Sequence, residues 1–191
     1  MDKRIPNTGI EIARLFEHFN SENSKALQNL TTQLVATFTG GGRLLIAASG
    51  NLQPIAQMIA THFTHRLGFD RPSLPAIALG ADATLAAALA RSNQHHLLLA
   101  RHYHTLQSRN HLLLLLSDGV PDPQLAELIR IAKGEQPLAL LTPQKNEDAE
   151  IMGCTELKLL IESSSPARLL ELSLFCGNLL CELVEAELFG V

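Results

Sequence analysis

Apolar residues recur at three- and four-residue spacing through the first forty positions, in "TGIEIARLFEHFN" and again in "SENSKALQNLTTQLVATFTGGG". That period gathers them on one face of a helix, and two amphipathic helices are predicted, the second closed by Gly40-Gly41-Gly42. After residue 42 the pattern changes. Short apolar runs, "RLLIAA" (43–48), "PAIAL" (75–79), "HLLLLL" (111–116), "PLALLT" (137–142) and "ELKLLI" (156–161), show no polar alternation. Strands of that kind are buried on both faces, as in a parallel sheet with helices above and below. Helical material follows each run, so a three-layer α/β/α architecture with a five-stranded parallel sheet is predicted.

Helix starts are well marked. Asp122 caps and Pro123 opens a helix that Gly134 ends, and Ser165 and Pro166 do the same for a long last helix. That last helix is apolar almost all round, with Leu169, Leu170, Leu172, Leu174, Phe175, Leu179, Leu180, Leu183, Val184 and Leu188. A helix without a wet face lies at the centre of a protein or in an interface. A single five-stranded sheet is not expected to cover it, so an oligomer is predicted, one that a charge at Leu180 would split.

The 191 residues, 46% of them hydrophobic, suit one domain over 1–191, with 1–40 as a helical oligomerisation segment and 43–191 as the α/β core. A net charge of -4 without any basic run excludes direct nucleic-acid binding, which needs clustered Lys and Arg. Cys154, Cys176 and Cys181 form no C-x-x-C pattern, and Cys176 and Cys181 diverge on one helix. A reducing, cytoplasmic setting is therefore expected, with Cys176 and Cys181 as buried apolar groups. The N-terminus lacks the apolar stretch of a signal peptide, and no run approaches the roughly 18 apolar residues of a membrane span.

The stretch "LLIAASGNLQPIAQ" (44–57) reads as strand, tight turn and helix start, the arrangement that presents backbone N–H groups to an anion. Yet Leu52 and Pro54 stand where a phosphate would want a hydroxyl and free amides. The histidines form no zinc-ligand spacing and read as solvated helix-face residues, among them His62, His65, His102 and His104, so no metal is expected. Asp118 reads as a turn residue. Leu188 and Phe189, beside Glu185 and Glu187, read as an apolar pair with an acidic rim at the end of the last helix.

"RPSLPAIAL" (71–79), "SSSPARLLE" (163–171) and "LLCELVEAELF" (179–189) resemble the sugar isomerase (SIS) domain, and within it the phosphoheptose isomerase group. The resemblance runs from about Gly42 to Phe189 and implies a flavodoxin-like sheet order. It puts the first phosphate loop on Ala48, Ser49, Gly50, Asn51 and Leu52, where the family's serine has become leucine. The second loop falls on Ser117, Asp118, Gly119, Val120, Pro121 and Asp122, where two carboxylates have entered. An aspartate about 4 Å from a phosphate costs on the order of 1 kcal/mol even in water. The cleft residues implied are thus Ser49, Gly50, Asn51, Ser117, Asp118, Asp122, Ser163 and Ser164.

The family's acid–base pair, a glutamate and a histidine, falls on His62 and Asn178, and its sugar-contacting glutamine on Leu170. An amide cannot exchange the protons that isomerisation requires. The resemblance extends to the branch of the group that associates with the replication initiator DnaA, where Leu188 and Phe189 match part of the engaging surface. It implies a non-catalytic homo-oligomer, a tetramer, that binds DnaA and needs no cofactor. The alternatives are an isomerase or sensor for a phosphorylated sugar, and a module for a neutral or cationic metabolite suited to Asp118 and Asp122.

Overall fold

In the computed structural model, which describes residues 4–108, 110–134 and 136–190, a helix α1 (Arg4–Thr39) leads into a parallel sheet. The strands are β1 (Arg43–Ala48), β2 (Ala76–Ala78), β3 (His111–Leu116), β4 (Leu138–Pro143) and β5 (Lys158–Ile161). Between and after them come α2 (Gln53–Thr64), α3 (Ala83–Arg91), α4 (Leu98–Leu106), α5 (Pro123–Ala132), α6 (Ala149–Met152) and α7 (Pro166–Phe189). The strand order is β2-β1-β3-β4-β5, and every pairing is parallel. Alternation along the strands splits the core in two. Leu44, Ile46, Leu112, Leu114 and Leu141 face α1, α2 and α7, whereas Leu45, Leu113, Leu115 and Leu140 face α4 and α5. Burial on both faces is why these strands read as unbroken apolar runs.

The two N-terminal helices expected from the sequence are one helix of 36 residues. The boundary expected between Asn20 and Ser21 falls in the polar stretch "NSENS", which contains no proline or glycine to force a break. Asn23 within it is buried and serves the sheet. Its Nδ2 donates to the carbonyls of Phe19 (2.8 Å) and Leu160 (3.0 Å), and its Oδ1 accepts the Leu160 N–H at 2.7 Å. One amide thus satisfies both backbone groups of a residue in β5.

Helix α7 is held inside the protomer more fully than expected. Leu169, Leu172, Cys176, Leu180, Cys181 and Val184 form a buried stripe, and Leu180 is 1% exposed. Phe175 on its flank meets Phe16 of α1 edge-on, ring centroids 4.6 Å apart. Gly177 lies so close to Ile59 of α2 that a Cβ there would overlap the isoleucine side chain. Within the protomer, helices α1 and α2 cover the stripe. A charge at Leu180 would therefore unfold the protomer before it could separate subunits, which corrects the sequence expectation.

Asn23→Ala leaves the Leu160 N–H and C=O without their partner, so a loss of about 1–3 kcal/mol is expected. The check is a lower urea midpoint at unchanged slope.

Candidate functional site

Strand order reverses between β1 and β3, and the loops leaving these two strands flank the switch point where open α/β sheets place ligands. The loops are stitched together before any ligand arrives. Ser49 Oγ accepts the Asp118 N–H at 3.0 Å, and Ser117 Oγ accepts the Gly119 N–H at 3.1 Å. Both hydroxyls are buried. Asp118 Oδ1 accepts from Val120 N, and Asp122 Oδ1 from Gln124 N as the N-cap of α5. Gly50 (φ +44°) passes close to the Asp118 carboxylate.

Three adjoining hollows open on this edge. Asn51, Leu52, Asp118, Val120, Ser164 and Leu170 line a cleft of about 150 Å³. Gly50 and Asp122 lie in a separate hollow of about 210 Å³ with Gln53 and Gln124. Ser163 and Ser164 line a larger one of about 470 Å³. Leu52 is 2% exposed and belongs to the core, and it gives the cleft an apolar floor. Ser165 holds the N-cap position of α7, but its hydroxyl makes no capping bond.

His62 and Asn178 lie elsewhere. His62 is nine residues into α2, about 13 Å from its start at 1.5 Å per residue. Its Nδ1 sits 2.9 Å from Asn178 Oδ1 across the α2–α7 contact. An amide oxygen only accepts, so Nδ1 carries the hydrogen and Nε2 is the nitrogen left to act. The structure joins these two residues to each other and holds them apart from the loop cleft of the same protomer.

The carbonyl of His62 is anchored by Arg71, which no pattern had singled out. Arg71 Nη2 donates to His62 O (2.9 Å), Nη1 to Phe63 O (2.8 Å) and Nε to Glu185 Oε1 at 2.6 Å. Both side chains of this ion pair are buried. Glu185 is therefore not part of an acidic rim around Leu188 and Phe189. The signal was present: Glu185 continues the stripe Gly177, Cys181 at four-residue spacing. Cys181 lies in the same contact, and burial pushes its thiol up to about 12. Cys176 is likewise pushed to about 12 and Cys154 to about 11, each by burial.

Solvated histidines were expected, and His65 and His104 are exposed. His62 and His102 are not free helix-face residues, because His102 Nδ1 accepts the Gly80 N–H at 2.9 Å. His111 is buried against Tyr103 Oη at 2.8 Å. Among the described residues no three His, Cys, Asp or Glu side chains are placed to hold a metal ion. Leu188 and Phe189 are half-buried, and Phe189 meets Phe69 edge-on at 5.9 Å. No described helix is long and apolar enough to cross a membrane.

A parallel 2-1-3-4-5 sheet with loops at its switch point defines a doubly wound, flavodoxin-like α/β protein. The architecture matches a phosphoheptose isomerase from Francisella tularensis with a TM-score of 0.85 at 19% identity, over 95% of this chain and 96% of that one. It matches phosphoheptose isomerase GmhA from Neisseria gonorrhoeae at 0.82 and 16%, over 97% and 98%. In sequence, a phosphoheptose isomerase of Burkholderia pseudomallei is 30% identical over 156 residues, 82% of this chain and 79% of the relative. The chain belongs to the phosphoheptose isomerase family. The DnaA initiator-associating protein DiaA of Yersinia enterocolitica is also similar, 28% identical over 166 residues, 86% of this chain and 85% of the relative. No family model matches the chain.

Removing one member of a buried ion pair strands the other charge. Arg71→Met or Glu185→Gln alone is expected to cost about 3–5 kcal/mol, with much of it recovered in Arg71→Met/Glu185→Leu. Chemical denaturation of the three variants measures this.

Proposed function

We propose that this protein is a non-catalytic member of its family, acts through protein contacts, and has the replication initiator DnaA as its partner. The observation that carries the reading is the His62–Asn178 hydrogen bond. Positions that by resemblance hold an acid–base pair hold an imidazole donating to an amide, and the amide has no proton to exchange near neutral pH. The cleft supports it further. Its floor is Leu52, and Asp118 and Asp122 bring negative charge where a phosphate would sit. Similarity to a protein named for associating with the DnaA initiator supplies the partner.

In this reading the protein is cytoplasmic, and copies assemble through α1 and the outer side of α7 into a tetramer. Residues 1–40 serve assembly and 43–191 form the α/β core. Several copies of one weak site then engage several initiator molecules, which raises avidity without new contacts. Leu188 and Phe189, with Phe69 behind them, are the apolar anchor of that site. Glu187, exposed beside them, favours a partner surface carrying positive charge.

The second reading is an isomerase or sensor for a phosphorylated sugar. It is favoured by the name of the Burkholderia relative and by the cleft that gathers Asn51, Asp118 and Ser164.

Purified protein is expected to give no turnover of sedoheptulose 7-phosphate. Turnover that is lost in His62→Ala would establish the second reading instead. In pull-downs with purified DnaA, Leu188→Ala/Phe189→Ala is expected to weaken capture about 30-fold or more, as loss of a hot spot does. Its oligomeric state by light scattering should be unchanged, and its melting temperature nearly so, because the pair sits in the last turn of α7. Dissociation or unfolding of the variant would make the pair structural.

A further inference from the structure

One peptide group at the end of β2 is gripped from both sides. The carbonyl of Leu79 accepts from Gln53 Nε2 of α2, and the N–H of Gly80 donates to His102 Nδ1 of α4 at 2.9 Å. The carbonyl and N–H of a trans peptide point in opposite directions, so the two side chains lie on opposite sides of it. Gln53 and His102 are both half-buried. The preceding peptide is fixed separately, since Leu79 N–H donates to Ile46 O of β1 at 2.7 Å. Gly80 has φ +79°, and a Cβ there would crowd the Leu99 side chain of α4.

An imidazole nitrogen accepts a hydrogen bond only while it carries no hydrogen. The bond from Gly80 therefore requires a neutral His102 with its hydrogen on Nε2. Protonation sets two N–H groups against each other. Both partners have an alternative. The imidazolium Nδ1–H is a donor, and rotation of the Gln53 amide puts its oxygen where its nitrogen was. Once the peptide between them turns over as well, every group has a partner again. His102 Nδ1–H then donates to Leu79 O, and Gly80 N–H to Gln53 Oε1. Turning the peptide takes φ of Gly80 from +79° to about −100°, and glycine is the residue at ease with both values.

The other charged and titratable groups on the elements around His102 are engaged with different partners or face solvent. Asp82 and Asp122 cap α3 and α5, Glu127 pairs with Arg130 on α5, and His95 Nδ1 lies 3.0 Å from Gln124 Nε2. On α4 itself Arg101 reaches Gln94, His104 meets Gln107, and Tyr103 meets His111 of β3. Arg91 at the end of α3 and His96 in the turn His95–Leu97 are exposed. Among the described residues, His102 is the titratable side chain hydrogen-bonded to the 79–80 peptide.

We propose that the Leu79–Gly80 peptide is a pH-operated switch with these two settings, the first held by neutral His102 and the second by its imidazolium. Histidine titrates between pH 5 and 8, which sets the range in which the switch works. Gly80 and Gln53 together line the hollow of about 210 Å³. As the peptide turns, the Gln53 atom left over changes from an acceptor to a donor. Leu89 is the one buried side chain of α3, so the helix that follows is lightly held and accommodates the change.

The switch is independent of the protein-contact function, because DnaA capture enters none of its measurements. Full-length protein carrying carbon-13 at leucine carbonyls and nitrogen-15 at glycine amides gives two linked resonances. They come from Leu67–Gly68 and Leu79–Gly80, the Leu-Gly steps of the sequence, and Gly68→Ala tells them apart. From pH 8 to pH 5 the 79–80 resonance is expected to move between two limiting positions, with the midpoint of the His102 ring. In His102→Asn, whose amide does not titrate, that movement should vanish. Hydrogen exchange separates turning from simple breakage. Gly80 should stay protected at pH 5 in the wild type, and Gln53→Met should lower that protection about tenfold or more at pH 5 but not at pH 8. The wild-type titration and the exchange at pH 5 decide the matter even where a variant fails to fold. A 79–80 resonance indifferent to pH, movement that survives His102→Asn, protection lost at pH 5 in the wild type, or protection at pH 5 indifferent to Gln53→Met overturns the proposal.

Discussion

A buried guanidinium fixes how the two central helices meet. Arg71 reaches the carbonyls of His62 and Phe63, at the end of α2 where the last turn has no helical partners of its own, and the carboxylate of Glu185 near the end of α7. Taking both charges out of water is costly, and only this geometry, with the remaining donors occupied, makes it tolerable. The pair locks α2 alongside α7 at a separation where Gly177 alone fits against Ile59. The His62 ring and the Asn178 amide are brought into register by that lock. The charged contact is therefore a matter of alignment more than of net stability.

Scaffold and site are specified by different residues. The scaffold persists, from strand order to the loops at the switch point, because it is specified by apolar patterning and by contacts such as Arg71–Glu185. The site's chemistry depends on a few side chains at loop tips and helix faces, and those can change without disturbing the core. Leu52 illustrates the limit of that freedom. It is part of the core, so placing a serine there would open a cavity as well as add a hydroxyl.

Sheet, strand positions and helix caps were legible in the sequence because each rests on a local signal. The runs at 43–48 and 111–116 coincide with β1 and β3, and Asp122-Pro123 opens α5 as its caps predict. Errors arose where a residue's role is set by distant partners. The role of Asn23 was not legible because its two contacts with Leu160 lie 137 residues away. Glu185 looked like surface because Arg71 is 114 residues away in the chain. How much of the last helix α1 covers is likewise a tertiary fact that no local pattern records. The first loop of the cleft was legible as a strand, turn and helix start at 44–57, whereas the second, at 117–122, was found only through resemblance.

Both borders of the sheet are closed to strand addition, and by different means. At β5 the Asn23 amide occupies the N–H and C=O of Leu160 that another strand would use. At the other border β2 is only three residues long and follows Pro75, and Thr64 Oγ1 already donates to the Ala76 carbonyl at 2.9 Å. Short, proline-flanked or side-chain-blocked borders are how soluble sheets avoid extending through one another. Any partner, whether another copy or a different protein, is thereby restricted to helix surfaces and loops. The five apolar strands, among the most aggregation-prone segments of the chain, remain out of reach as long as α1 stays seated.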